Sequence, residues 1–192
     1  DKLVIGEGST VGTNSVLTIT DDAVTIGDAA AVDSKMVFDG NAQDFYVALD
    51  DSADDLLIGV GSTVGTTPAI HIDENQVVKF DAGIQEESTV VSSSSNAATL
   101  NLNLGTVFTH TLSENVTYTF SNPAASGYAS TFIFKITQDS SARTITWPGS
   151  VDWAGGAAPT ISSGSGDVDV FVFHTVDGGT IYYGFTAGQD LT

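Results

Sequence analysis

The chain has few side chains capable of chemistry, and their spacing limits what they could do. Three histidines, His71, His110 and His174, sit among apolar or threonine neighbours. No two share the short interval of a zinc motif, so they read as structural. Asp50, Asp51, Asp54 and Asp55 bracket Ser52-Ala53. A hard cation such as Ca²⁺ needs several oxygens around a tight turn, and the glutamate that closes a calcium loop is missing, so a solvated turn is expected. Carboxylate pairs also cleave glycosidic bonds. Here they lie in turns between short strands, and no nucleophile elbow accompanies the serines and histidines. Gly6-Glu7-Gly8 and Gly59-Val60-Gly61 lack the lysine of a phosphate loop. Those glycines are expected at positive φ or at points of close packing. The expectation is therefore no enzyme, no metal and no cofactor.

The two tryptophans offer binding chemistry instead. Trp147 and Trp153 flank Pro148-Gly149. An indole presents apolar area to a sugar face while polar neighbours orient the hydroxyls. Trp147, followed by proline, also reads as the end of a core strand. Asp152-Trp153-Ala154-Gly155-Gly156 reads as an exposed loop carrying an aromatic. Trp153, Trp147 and Asp152 are the candidate ligand-binding residues.

The elements that must position them are strands. Both copies of an internal repeat, Leu3-Val4-Ile5-Gly6-Glu7-Gly8-Ser9-Thr10-Val11-Gly12-Thr13 and Leu56-Leu57-Ile58-Gly59-Val60-Gly61-Ser62-Thr63-Val64-Gly65-Thr66, lead into short alternating strands and polar turns. Such copying builds a modular, quasi-linear architecture. Asp39-Gly40-Asn41 separates Met36-Val37-Phe38 from Phe45–Leu49 as a hairpin signal. Residues 82–98, with the run Ser92-Ser93-Ser94-Ser95-Asn96, read as a connector, although Val90-Val91 could pair as a strand. From Thr99 strands lengthen and aromatics increase. Leu100, Leu102 and Leu104 alternate, as do Val116, Tyr118 and Phe120, and Asp177-Gly178-Gly179 marks a second hairpin. Phe171, Phe173, Tyr182 and Tyr183 supply apolar content to a second face, a possible subunit contact.

The fold expected is all-β: a short-strand repetitive trimeric shaft over residues 1–81, then an antiparallel β-sandwich or jelly-roll-like domain over residues 99–192. Short strands bury little in one chain, and association about a common axis is one remedy.

Composition narrows the partners. The 192 residues carry a formal net charge of −19, with only five Lys and Arg. Such a surface repels nucleic acid and anionic membrane, and its self-repulsion matters less in a salty medium. No cysteine is present, which excludes disulfides and thiolate chemistry. No apolar run reaches membrane-spanning length. The chain opens at Asp1 on strand-like residues, so a piece of a longer polypeptide is expected.

Two segments resemble tail-fibre proteins of marine bacteriophages. The first is Phe38-Asp39-Gly40-Asn41-Ala42-Gln43-Asp44-Phe45-Tyr46, with Leu49-Asp50-Asp51-Ser52-Ala53-Asp54-Asp55-Leu56 and Ile58-Gly59. The second has the landmarks Arg143-Thr144-Ile145-Thr146-Trp147-Pro148, Gly156-Ala157-Ala158-Pro159-Thr160, Tyr182-Tyr183-Gly184-Phe185 and Ala187-Gly188-Gln189-Asp190. The resemblance implies an extracellular virion segment, a homotrimer whose partners are other tail proteins and a host-surface glycan or protein. A bacterial adhesin or surface-layer module is the alternative.

Overall fold

The computed structural model describes residues 17–19, 22–27 and 29–191. The first repeat copy, Leu3 to Thr13, lies outside the described residues. The chain divides into two compact units, Asp1–Ile84 and Gln85–Thr192.

The first unit is built from β1 (Leu17–Ile19), β2 (Val24–Ile26), β3 (Ser34–Phe38), β4 (Phe45–Asp50), β5 (Asp55–Val60), β6 (Pro68–Ile72) and β7 (Val78–Phe80). β1 and β2 pair antiparallel, and β3 to β7 form a meander in sequence order. The hairpin at Asp39-Gly40-Asn41 is present, closed where Gly40 N–H donates to the Asp44 carboxylate at 3.1 Å.

Side-chain alternation gives this meander two different faces. On one, Tyr46, Ala48 and Leu57 form a small core with Val37 and Val64 against them. Gly59 belongs here because a Cβ would stand 2.5 Å from the Tyr46 ring, while Gly61 and Gly65 adopt positive φ. The second repeat copy thus uses its glycines in both ways. The opposite face carries Met36 and Phe38 of β3, Phe45, Val47 and Leu49 of β4, and Leu56, Ile58 and Val60 of β5. Ile70 and Ile72 of β6 and Val78 and Phe80 of β7 complete it. All are apolar and exposed or half-buried.

His71 lies on the core-side face, its ring nitrogens 3.2 Å from the Asp55 carboxylate and 2.8 Å from that of Asp81. The hydrogen bond to Asp81, then that to Asp55, raises its pKa above the ordinary 6.5. The charged imidazolium is thus favoured in the folded state. Its stabilisation is full below about pH 6.5 and is lost as pH rises through the raised folded value. His110 acts in the opposite sense: burial lowers its pKa, so its contribution is present above 6.5 and lost as pH falls. The difference between the parent and His71→Gln isolates the first effect. In urea unfolding followed by far-UV circular dichroism, the destabilisation by His71→Gln is expected to be larger at pH 5.5 than at pH 8.5. An equal loss at both would refute it.

The second unit contains β8 (Thr89–Val90), β9 (Ala97–Asn101), β10 (Val107–Thr111), β11 (Val116–Ser121), β12 (Ser130–Thr137), β13 (Ile145–Thr146), β14 (Val151–Trp153), β15 (Val168–Thr175) and β16 (Tyr182–Gly188). One sheet has the order β14-β16-β15-β12-β10-β8 and the other β13-β11-β9. The protein is all-β, but this unit is not an antiparallel sandwich. From β8 to β14 successive strands alternate between the two sheets. Each crossing reverses the chain, so every second strand returns to its sheet in the original direction. β8, β10 and β12 are accordingly parallel neighbours, as are β9, β11 and β13. Only β12–β15 and the β15–β16 hairpin over Asp177-Gly178-Gly179 are antiparallel.

Both sheets face one aromatic core. Leu100, Val116 and Tyr118 come from the smaller sheet; Phe108, Phe132, Phe134, Phe171, Phe173 and Tyr182 from the larger. Phe171, Phe173 and Tyr182 therefore lie inside, and of the four aromatics expected on a second face only Tyr183 points outward, with Phe185 exposed beside it. The Leu100–Leu104 alternation stops early. The Asn101 side chain accepts from Asn103 N–H at 3.2 Å, a 3₁₀ turn follows, and Leu104 is left exposed.

The segment expected as a connector belongs largely to this unit. β8 pairs with β10, Val91 is buried in the core, and Glu86 accepts from the Thr106 N–H and hydroxyl. A buried valine and a laddered strand tie down a stretch whose serines alone suggest freedom.

Candidate functional site

A concavity of about 620 Å³ opens in the second unit between β13 and β14, the edge strands of the two sheets. Residues 156–163 contribute its remaining wall. Ile145, Trp147, Pro148, Trp153, Pro159 and Ile161 supply apolar lining; Arg143, Thr144, Thr146, Thr160 and Ser163 supply polar groups.

Trp147 follows β13, and its ring turns inward. It is 9 % exposed, stacks on Tyr118 at 5.8 Å and meets Phe171 edge-on at 4.9 Å. Its indole N–H is buried without an acceptor among the described residues. Trp153 is not on a loop. It is the last residue of β14, opposite Gly184 in parallel register, and points to the core side with Val151. Gly184 makes this possible, because a Cβ there would stand 2.8 Å from the Trp153 ring. The indole lies 5.3 Å from Trp147 and 5.6 Å from Phe173, half-buried at the rim. Asp152, one residue earlier on the strand, faces the opposite side and is exposed next to Tyr183. The structure therefore unites Trp147 and Trp153 and separates Asp152 from them, as strand alternation requires.

Two buried polar residues hold the walls. Gln138 donates through Nε2 to the carbonyls of Arg143 at 3.0 Å and Ser162 at 2.8 Å, and its Oε1 accepts from Arg143 N–H. One amide thus ties both sides of the concavity. Asp169 accepts from the Ser162 N–H and hydroxyl, each at 2.7 Å, and from Asp190 N–H at 3.1 Å. Both residues fall on the inward phase of strand patterns, Phe132-Phe134-Ile136-Gln138 and Asp169-Phe171-Phe173. A polar group in that phase was the signal available in the sequence.

Arg143 forms a bidentate pair with Asp139, Nη2 to Oδ2 at 2.8 Å and Nε to both oxygens. That guanidinium holds the Asp139 carboxyl below the usual carboxylate range.

Asp169→Asn replaces an acceptor with an amide donor facing other donors. It is expected to destabilise this unit by about 1–3 kcal/mol. Both tryptophans of the chain lie in this unit, so their emission during urea unfolding reads the effect. A midpoint unchanged from the parent would show that the carboxylate does not hold the wall.

The histidines do not converge. His110 Nδ1 is 2.6 Å from the Tyr118 hydroxyl, whose pKa burial pushes up, and His174 Nδ1 is 2.8 Å from the Thr131 hydroxyl. Among the described residues no group of three histidines and carboxylates is placed to hold a metal ion. In the aspartate turn, Asp50 accepts from the Ser52 N–H and hydroxyl, and Asp55 turns inward to His71. No helix among the described residues is long and apolar enough to cross a membrane.

No protein-family model matches the chain, and comparison with curated proteins and with solved structures finds no match.

Proposed function

We propose that this chain is a segment of a bacteriophage tail fibre: a non-enzymatic virion protein, outside the cell, that assembles as a homotrimer, joins other tail proteins and meets the host surface. The observation that carries the reading is the apolar face of the β3–β7 sheet. One side of that sheet presents no charged side chain, in a protein with a net charge of −19. On the other side, among the described residues, three hydrophobic residues are buried. A unit with so small a core needs its second face covered.

With aromatic side chains contributing ~150–250 Å² each when fully covered, the uncovered part of the face is roughly 800 Å². That is about what each partner gives to a stable interface. Burying it contributes about 20 kcal/mol of gross transfer free energy per chain, against which stand lost translational and rotational freedom, side-chain ordering and polar desolvation. Copies of the same face, packed around a threefold axis, satisfy one another without charge conflict and close the assembly. Copying the repeat unit extends such a shaft, and a unit that is not repeated is where a specific surface can be built once.

Sedimentation equilibrium at micromolar concentration tests the assembly. Three times the chain mass of 19.8 kDa is expected. A folded monomer would overturn the proposal.

A further inference from the structure

The Trp147–Trp153 concavity has a chemistry that selects among ligands. Its volume of about 620 Å³ falls within the ~300–1,000 Å³ typical of small-molecule sites. Trp153 keeps part of its indole uncovered at the rim, seated on Gly184. Thr144, Thr146, Thr160 and Ser163 stand among the lining residues, so neutral polar groups able to donate and accept lie beside the apolar lining. Trp147, also in the lining, has an indole N–H with no acceptor among the described residues. The single cation in the lining, Arg143, is committed to Asp139 through a bidentate pair. A site with apolar aromatic area, neutral hydroxyls and no uncommitted positive charge, in a protein of net charge −19, disfavours an anion.

We propose that this concavity binds a neutral saccharide, with a pyranose ring laid on the Trp153 indole and its hydroxyls bonded to the lining. The inference rests on the reading of the chain as a host-attachment protein and names the ligand class of that attachment. Gly184 is a positioning residue: by lacking a Cβ it lets the indole lie where a sugar can stack. Each site is expected to be weak, and three sites on one trimer would bind a cell surface with avidity.

The test uses the full chain. Calorimetric titration is run with laminari-, malto- and manno-oligosaccharides as neutral probes, and with oligogalacturonate and sulfated carrageenan oligosaccharides as anionic ones. At least one neutral probe is expected to bind saturably and tenfold or more tighter than the anionic ones. Trp153→Ala and Gly184→Val are expected to weaken it at least tenfold, and Lys135→Gln, on the outer side of β12, to leave it unchanged. In the unaltered chain, the bound sugar is expected to reduce acrylamide quenching of tryptophan emission, a readout that needs no variant to fold. Absence of neutral binding, equal or tighter anionic binding, undiminished quenching, or a folded Trp153→Ala chain that binds within twofold of the parent would each overturn the proposal. Adsorption of labelled protein to marine bacterial cells separates the two readings. Saccharide binding without adsorption to any cell rejects host attachment and leaves the site. Adsorption by the parent without saccharide binding rejects the site and leaves attachment.

Discussion

Aspartate in place of Ile58 is expected to dissociate the proposed trimer to monomers at micromolar concentration. Ile58 lies on β5 between Val47 of β4 and Ile70 of β6, near the middle of the apolar face. Its side chain is 43 % exposed in the single chain, so the isolated fold tolerates a carboxylate there. In a closed trimer that position is covered, and three carboxylates would be buried together without a cation. An unpaired buried charge costs about 3–5 kcal/mol, and mutual repulsion adds to it. A control charge at Thr63, in the exposed loop after β5, should leave the mass unchanged. Sedimentation equilibrium reads both variants. Ile58→Asp remaining associated as tightly as the parent would show that this face is not the one covered.

Phe132→Ala is expected to destabilise the second unit by about 3–5 kcal/mol, the range for a buried aromatic truncated to alanine. Phe132 is fully enclosed and belongs to an array of rings. It stacks on Phe173 at 5.1 Å and meets Phe120 edge-on at 5.1 Å, Phe108 at 5.9 Å and Tyr182 at 6.2 Å. These partners come from four other strands of two sheets, so no single rotamer change can fill the space. Losing the ring costs transfer free energy and leaves a cavity lined by rings that then lack neighbours. Urea unfolding followed by tryptophan emission measures the loss, and a shift below about 1 kcal/mol would mean that the core collapses around the gap. By contrast Phe185→Ala, on the outer side of β16, should change little in the monomeric fold, because that ring is largely exposed already.

Which residues form strands was readable from local pattern. Alternation marked β11, and the Asp-Gly and Gly-Gly turns marked the β3–β4 and β15–β16 hairpins, because a two-residue side-chain period and positive-φ turn residues are properties of neighbouring positions. The inward aspect of Val116 and Tyr118 follows from the same period. Strand pairing in the second unit was not readable. Antiparallel neighbours are the default for strands joined by short loops, but here the chain crosses between sheets at nearly every connection. A sequence records the length of a connection, not the sheet at which it arrives.

The site divides in the same way. The amino-acid sequence by itself determined the chemistry on offer: two indoles, few cations, abundant hydroxyls, no thiol, and a strongly acidic surface. It also placed Asp152 and Trp153 on adjacent positions, which in a strand means opposite faces. Only the tertiary structure decided that β14 is a strand at all, through its pairing with β16 and the space left by Gly184. Only that structure brought Trp147 to Trp153, and placed Gln138 and Asp169 behind the walls of one concavity. The same holds for the apolar face of the first unit. Its residues come from five strands, and their common exposure follows from a register that long-range pairing sets. Local sequence fixes the side on which a residue falls within its own strand. What covers that side depends on which other strands arrive there, and that is a property of the folded chain.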